Sequence, residues 1–542
     1  NGLAAAFNFW PIQKPFDETS NPVRQSEEQC NFLLNLCQVL AKAALNSDFR
    51  LRNVSHGAQL LEQFAERPEI GNAALYGMCL SIAAEHPEFN IGCIDLDRQA
   101  GPQQLTHKQL PIFTQIFNEN WLALRNDKLF APRLSSANLD AEFLSTDIHE
   151  NATYLITGGS KGVGLKAVEW LAQQGAKHLA IVSRNQLDTV SEQSIQSLRD
   201  LGVEIQTYAA DVSNEDALAS CLVDIQKKMP PLKGIIHCAG ILADNLLANF
   251  NWEQFALAFD AKVKGAWNLH QLTLNSKLDF FVLFSSAASV LGNQGQANYS
   301  AANAFLDQLA QLRKFMKLPA TSINWGPWAD VGMLETDPIA REHLKRQGFE
   351  PIPISDGFAA MALAIASKKP QISVIKWDWQ IYIEQSTAAH SLLEKLSNQS
   401  INNKTVATPN SGALEKYAQL TAVDRLKQTN EWVESSVRQI LGIPSTQVLD
   451  QSKALTDLGL DSLLAVQLRN HLSKLIQQTL PVSLAFNYPT IEDLNTFISS
   501  IMEGAALSAQ GGSNSESPLI NPANSTVESA QDLLVDLEKL LK

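Results

Sequence analysis

Three side chains near the middle of the chain have types and spacing suited to acid chemistry on a carbonyl. Ser286 ends the run Phe280-Phe281-Val282-Leu283-Phe284-Ser285-Ser286. Tyr299 and Asn303 follow a Gly-rich turn, in Gly295-Gln296-Ala297-Asn298-Tyr299-Ser300-Ala301-Ala302-Asn303. A phenol can give a proton, a hydroxyl can bond the oxygen that receives it, and an amide can hold the arrangement. The apolar run reads as a buried strand, so Ser286 stands at its carboxyl end. From Tyr299 to about Arg313 the chain is rich in Ala and Leu at helical spacing, which puts Tyr299 and Asn303 on one helix face. In an open α/β sheet, ligands bind at the carboxyl ends of the strands. Taken alone, the same residues also read as a half-buried tyrosine, a turn serine and a capping asparagine.

A second pattern lies upstream. Residues 152–157 read as a strand that runs into Gly158-Gly159-Ser160-Lys161-Gly162-Val163-Gly164, then a helix to about Gln174. Strand, glycine turn and helix are the setting of a dinucleotide fingerprint, although the spacing here is G-G-x-x-G-x-G. The glycines let backbone approach a pyrophosphate, whose charge rests at the helix N-terminus. The strand 178–182 ends in Ser183-Arg184, where an NAD site usually carries an acid. A hydroxyl and a guanidinium suit the 2′-phosphate of NADPH instead. The strand 206–210 ends at Asp211-Val212, placed to hold an adenine edge. The strand 233–237 ends in Cys238-Ala239-Gly240, small residues against which a cofactor can lie. Strands and helices alternate throughout, which implies a right-handed, doubly wound parallel sheet. A helix over 261–267 carries Lys262 and Lys264. Either could reach the Ser286/Tyr299 crevice, and spacing does not choose between them.

Composition agrees with a soluble enzyme of several domains. The chain has 542 residues, 45% apolar and 18% charged, enough for three or four domains at ~150 residues each. A net charge of −14 argues against a nucleic-acid partner. No apolar run approaches the ~20 residues of a membrane span. The opening Asn-Gly-Leu lacks Met and a basic start, so we expect no signal peptide, a cytoplasmic location and an origin within something longer. The six cysteines show no metal or redox spacing and read as reduced core residues; no metal site is expected.

The remaining chain divides by pattern. The first 147 residues read as α/β without a phosphate loop: helices over 28–45 and 72–84, short strands over 91–95 and 128–133, and residues 1–27 without a clear placement. A sheet domain occupies 148–395. Its tail holds a mobile covering segment over 329–349, a helix over 355–367 and a last strand over 371–375. Residues 396–422 read as a linker, rich in Asn, Ser and Thr. A helical bundle follows over 423–505, with helices over 423–441, from Asp457-Leu458-Gly459-Leu460-Asp461-Ser462-Leu463 to about 475, and over 491–502. Ser462 sits at a helix N-terminus, where its plain role is a cap. A second linker spans 506–526. The end, 527–542, carries Leu533, Leu534, Leu537, Leu540 and Leu541 on one stripe and calls for a partner helix.

Together these stretches resemble a fragment of a modular type I polyketide synthase: a β-ketoreductase, then an acyl carrier protein. Gly459-Leu460-Asp461-Ser462-Leu463 resembles the carrier attachment site, and Phe486–Thr490 the turn before its last helix. The resemblance implies a Rossmann-like catalytic half over 148–395, a truncated structural half over 1–147, an all-α four-helix carrier over 423–505 and a docking helix over 527–542. Arg50-Leu51, His56-Gly57-Ala58-Gln59 and Glu85-His86-Pro87-Glu88 are similar to that structural half. The reductase resembles the short-chain dehydrogenases with one exchange: where those read Tyr-x-x-x-Lys, this chain reads Tyr299-x-x-x-Asn303. The family's lysine lies upstream, in a motif matched by Lys262-Val263-Lys264-Gly265-Ala266, which selects Lys262.

The resemblance then implies NADPH on Gly158–Gly164 and covalent 4′-phosphopantetheine on Ser462. Tyr299 becomes the proton donor, Ser286 its partner at the substrate oxygen, Lys262 a cation favouring the phenolate, and Asn303 the holder of the relay. Leu242-Ala243-Asp244 stands where B-type enzymes carry Leu-Asp-Asp. Leu291 stands where A-type enzymes carry tryptophan, and Ala301 where an epimerising subtype has proline. A B-type enzyme giving a D-hydroxyl is expected, with Asp244 in stereocontrol. Implied partners are upstream condensing and acyltransferase domains, a phosphopantetheinyl transferase, a downstream module reached by the C-terminal helix, and a second copy in a homodimer. Competing readings are a stand-alone alcohol dehydrogenase, a thioester reductase and a non-catalytic scaffold beside a working carrier. The carrier motif and Asn303 count against the first. Domain order and Asn303 count against the second, and the filled catalytic positions against the third.

Overall fold

The computed structural model describes residues 3–9, 21–43, 45–61, 66–97, 119–137, 148–329, 338–385, 391–396, 419–444, 446–478 and 484–510, with a few single positions and pairs between them. They fall into two compact units, divided near residue 397.

The larger unit holds two sheets. The first orders its strands β1 (Leu3–Asn8), β2 (Leu45–His56), β3 (Gly92–Leu96), β4 (Trp121–Arg125) and β5 (Lys128–Phe130). Strands β2, β3 and β4 are parallel; β5 returns antiparallel through Asn126 and Asp127, both at positive φ. Here the sequence reading is corrected. The helix expected over 28–45 is Pro22–Leu40, because Asn21 caps it, accepting from Val23 N–H at 2.9 Å, and Pro22 presets its first turn. Residues 45–56 are a strand, in which Phe49, Leu51 and Val54 are buried among arginines and asparagines that hid the pattern. Strand β4 was also not anticipated. Of residues 1–27, Leu3–Asn8 form β1 at the sheet's edge, tied by Asn8 Nδ2 to Asn53 Oδ1 at 2.8 Å.

The second sheet has seven strands, ordered β12 (Gln371–Val374), β11 (Thr321–Trp325), β10 (Phe280–Ser286), β9 (Leu232–His237), β6 (Thr153–Thr157), β7 (His178–Ser183) and β8 (Glu204–Ala209). All its registered pairs are parallel. The chain winds outward from β6 to β8, returns beside β6 as β9, and winds the other way to β12. The order reverses between β6 and β9, so the ligand crevice opens at Thr157 and His237. Covered strands read as unbroken apolar runs: Tyr154, Ile156, Ile181, Ile236, Val282 and Ile323 are all buried. Each such side chain contributes roughly 1.5–3 kcal/mol by leaving water.

The covering segment expected over 329–349 contains a helix, Pro338–Arg346; residues 332–337 lie outside the described residues. The helix expected from 261 is corrected too. It starts at Trp252, where Asn251 caps it, and passes through a wide π turn, Asp260–Lys264, before continuing as Gly265–Leu272.

The smaller unit has helices Ala422–Leu441, Ser462–Ile476, Leu484–Asn487 and Ile491–Gln510. Val433, Val437, Leu468, Leu472, Leu494, Ile498 and Met502 form its core. Two boundaries shift. Tyr417, within the expected linker, is buried and stacks on Trp432 at 5.6 Å. The last helix passes 502 and 506 to reach Gln510, carried by Ala505, Ala506, Leu507 and Ala509, which favour helix. Residues 397–416, the rest of the second linker and the expected docking helix over 527–542 lie outside the described residues. Among the described residues, no helix is long and apolar enough to cross a membrane.

Candidate active site

The structure brings Ser286, Tyr299, Lys262 and Asn303 to one place. Ser286 is the last residue of β10. Its Oγ accepts from Ala288 N–H at 3.2 Å, which leaves the hydroxyl proton to donate. Tyr299 lies in the first turn of the helix Ala297–Phe315, half-buried, and Asn303 one turn later, fully buried. Asn303 Nδ2 donates to the Tyr299 carbonyl at 2.8 Å, while its Oδ1 is buried without a partner. Lys262 arrives from the π turn. Its Nζ donates to Phe284 O at 2.8 Å and lies 5.3 Å from the centre of the Tyr299 ring. Lys264 points elsewhere, pairing with Glu27 and Asp260. The wide turn re-aims Lys262 inward, a recurrent use of π segments at sites.

Burial sets the electrostatics. The Lys262 ammonium is pulled down to about 8 by desolvation, against attraction from Cys238 and Asp307. The Tyr299 phenol is pushed above its ordinary range by burial; hydrogen bonding with Asn303 and Ser286 works against this, and Asp244 adds to it. Desolvation is the largest influence on the phenol, which keeps its proton. A proton donor needs that state.

Sequence reasoning missed the polar layer beneath these residues. Asp307, buried, accepts from Ser289 Oγ at 2.7 Å and Ser322 Oγ at 2.6 Å, and from Asn324 Nδ2 at 2.9 and 2.8 Å. It lies eight residues after Tyr299 and ties that helix to β11. Asn298 also escaped notice: it accepts from Tyr299 N–H at 2.7 Å and donates to Ala243 O at 2.9 Å. The signal for Asp307 was its spacing, since Tyr299, Asn303 and Asp307 recur every four residues.

The cofactor candidates surround the switch point. Gly158 has φ +71°, and a Cβ there would stand 2.8 Å from Ala239. A Cβ on Gly164 would drive into the Gly158 carbonyl. Lys161 leaves the next helix without a side-chain cap, so its first N–H groups are available to an anion. Ser183 Oγ is buried and unpartnered at the end of β7, with Arg184 exposed beside it. These features fit a dinucleotide carrying phosphate near Ser183. Asp211 Oδ1 accepts from Ser213, and the Val212 carbonyl from Asn268. Gly240 has a further role: a Cβ there would stand 3.0 Å from Lys262 Cε, so its bare backbone makes room for the lysine stem. Asp244 is exposed and accepts from Gln296 Nε2 at 2.7 Å, just before the Tyr299 helix.

In the smaller unit the cap expected of Ser462 belongs to Asp461, whose Oδ1 accepts from Leu464 N–H at 2.8 Å. Ser462 is the first helical residue, after Gly459 at φ +101°.

Comparison with known proteins agrees with this division. A KR domain model matches residues 152–330, and a phosphopantetheine attachment site model matches 431–498. The Rossmann fold domain of polyketide synthase extender module SpnB matches 4–134. Polyketide synthase GfsA of Streptomyces halstedii is 34% identical over 449 residues, 81% of this chain and 6% of that protein. Pikromycin polyketide synthase component PikAIII of Streptomyces venezuelae is 31% identical over 84% of this chain and 30% of its own length. The chain therefore spans less than a third of these curated relatives. Among solved structures, A-type ketoreductases from a modular polyketide synthase are 30% identical, with 65% of this chain and 75% of theirs covered and a TM-score of 0.59. The first ketoreductase of the tylosin synthase is 26% identical, with 74% and 84% covered and a TM-score of 0.60. With a ketoreductase domain seated on the Ser286/Tyr299 crevice and an attachment-site domain on the Ser462 helix, the chain belongs to the modular polyketide synthases, as a ketoreductase region followed by a carrier region.

Proposed function

We propose that the chain reduces a β-ketoacyl thioester to a β-hydroxyacyl thioester, with NADPH as reductant and the acyl group tethered to a phosphopantetheine arm on Ser462. The observation that carries this reading is the meeting of Tyr299, Ser286 and Lys262 at the carboxyl end of β10, on the same sheet edge as the glycine turn of β6 and separated from it by β9 alone. NADPH, when bound, supplies the hydride. The chain's own residues handle the oxygen. Ser286 donates a hydrogen bond from its hydroxyl to the carbonyl oxygen, and Tyr299, protonated at neutral pH, transfers its proton as negative charge develops. Lys262 stabilises the phenolate left behind, and Asn303 Oδ1 offers a hydrogen-bond acceptor for a water, from which the phenolate regains its proton. Ser183 and Arg184 support the 2′-phosphate, and Asp211 and Val212 the adenine edge.

Asp244 in its loop, with Leu291 where A-type enzymes carry tryptophan, supports a B-type outcome and a D-hydroxyl. Transferase loading of Ser462, delivery from condensing and acyltransferase domains, homodimerisation and export through residues 527–542 complete the reading. The test is reduction of a β-ketoacyl pantetheine thioester with NADPH, beside Tyr299→Phe, followed by chiral analysis. Turnover lost in the variant and a D-alcohol from the parent are expected. An L-alcohol overturns the role of Asp244, and absence of NADPH binding overturns the enzymatic reading.

A further inference from the structure

The loop that carries Asp244 is held from outside its own sheet domain. Glu85 ends the helix Ala73–Glu85 of the N-terminal part and is 2% exposed. Its Oε1 accepts from Leu247 N–H at 2.6 Å and its Oε2 from Gly295 N–H at 3.2 Å. One carboxylate thus bridges the Asp244 loop and the turn that enters the Tyr299 helix. The two segments also meet directly, Asn245 N–H donating to Gly295 O at 2.9 Å. From the same N-terminal part, Gln38 Nε2 donates to both Leu247 O and Phe250 O at 2.8 Å.

The supporting surface is tightly fitted. A Cβ on Gly77 would strike the Ser300 carbonyl, and Ser81 Oγ bonds Ser300 Oγ at 2.7 Å. Gln294 Nε2 donates to Ala84 O at 2.7 Å. His86, stacked on Phe89 and bonded to Glu88, brings its Nε2 to 3.6 Å from Glu85 Oε1. A buried carboxylate accepting backbone N–H bonds forms strong, directional contacts.

We propose that Glu85, with Gln38, is a positioning residue of the reductase: the N-terminal part fixes the Asp244 loop against the Tyr299 helix and so sets which face of the ketone is presented. This rests on the proposed reduction and extends it to residues in a different sheet domain. Without the clamp, the turn keeps its ties through Gln294 to Ala84 O and Asn293 N–H to Ser81 Oγ, but the Asp244 loop loses its bonds to Glu85 and Gln38, and the acyl chain enters in more than one orientation.

The test compares the full chain with Glu85→Gln and Gln38→Ala, using a β-ketoacyl pantetheine thioester and NADPH. Kinetic constants, enantiomer ratio, NADPH affinity and hydrogen exchange over 243–250 and 293–296 are measured. A ratio eroded about tenfold, with KM raised more than kcat falls and NADPH affinity unchanged, is expected. Faster exchange at Leu247 and Gly295 accompanies it in Glu85→Gln. An unchanged ratio and unchanged KM in folded variants, even with a lowered Tm, overturns the proposal. If Glu85→Gln does not fold, Gln38→Ala decides by the same ratio. If the parent itself fails to reduce the thioester, the functional reading falls. The clamp is then judged by exchange alone, and equal rates in parent and variants overturn it.

Discussion

The ammonium of Lys262 lies 5.3 Å from the centre of the Tyr299 ring while its Nζ bonds the Phe284 carbonyl at 2.8 Å. The cation is therefore fixed by strand β10 rather than by the phenol it serves. Burial keeps the phenol protonated at the start, and a cation this close lowers the cost of the phenolate that forms when the proton leaves.

Because burial pulls Lys262 from an ordinary 10.5 to about 8, activity and stability should move in opposite directions with pH. The lysine is cationic below about 8 and neutral above it, so turnover should fall as pH rises through that value. Between about 8 and 10.5 the unfolded chain binds the proton and the native chain does not, so this group's contribution to stability rises with pH. The full difference is on the order of 3 kcal/mol. Lys262→Met should lose turnover yet be no less stable at pH 7, the released desolvation offsetting the lost bond to Phe284 O. Kinetics and denaturant melts at pH 7 and 9 check both signs.

Tyr299→Phe should lower kcat by about 10²–10⁴-fold, the usual yield of a positioned acid, while NADPH affinity holds. Single-turnover kinetics beside a cofactor titration separates the two. A variant within threefold of the parent in kcat would remove Tyr299 from the role of donor.

Much of this was legible in the sequence, and the exceptions have physical causes. Strands β6, β7, β9 and β10 were readable because covered parallel strands are unbroken apolar runs. Strand β2 was not, because Arg50, Arg52 and Asn53 interrupt its pattern, and partners that hold two of them there are distant in sequence: Arg52 bonds Asn120, and Asn53 bonds Asn8. The location of Lys262 depended on a π turn that helical periodicity does not encode, so only the resemblance separated it from Lys264. Glu85 was invisible as a site residue because its partners, Leu247 and Gly295, lie far along the chain, whereas Asp307 showed only as a four-residue spacing whose partners on β11 no pattern announces.

The glycine turn offers a test of cofactor binding. A Cβ at Gly164 meets the Gly158 carbonyl, so Gly164→Ala must displace the turn that the pyrophosphate would use. A loss of NADPH affinity of tenfold or more is expected, with far-UV dichroism unchanged. Gly175, at φ +98° with open space around its Cβ position, supplies the control: Gly175→Ala strains backbone but leaves the turn alone.

Arg184 should decide between the two nicotinamide cofactors. If it meets a 2′-phosphate, Arg184→Ala removes a charge-assisted contact worth roughly 1.5–3 kcal/mol, or about 10–150-fold in NADPH affinity. NADH affinity should hardly change. Titration of parent and variant with both cofactors checks this, and equal losses for both would remove Arg184 from the phosphate site.

Ser462 and Asp461 adjoin each other, yet their substitutions should have separable effects. Asp461 caps the helix Ser462–Ile476 by accepting from Leu464 N–H at 2.8 Å, and Thr490 and Asp493 form a reciprocal cap on the last helix. Ser462 makes neither bond and can be replaced without uncapping either helix. Ser462→Ala should therefore leave the carrier's melting curve within about 0.5 kcal/mol of the parent while abolishing mass addition by a phosphopantetheinyl transferase. Asp461→Ala should cost about 0.5–2 kcal/mol of carrier stability, because Leu464 N–H loses its acceptor, yet still permit loading once folded. Intact mass spectrometry after incubation with the transferase and coenzyme A, beside thermal melts of both variants, distinguishes attachment from capping. Continued mass addition in Ser462→Ala would move the attachment point elsewhere, whereas equal destabilisation in the two variants would return Ser462 to the role of a helix cap.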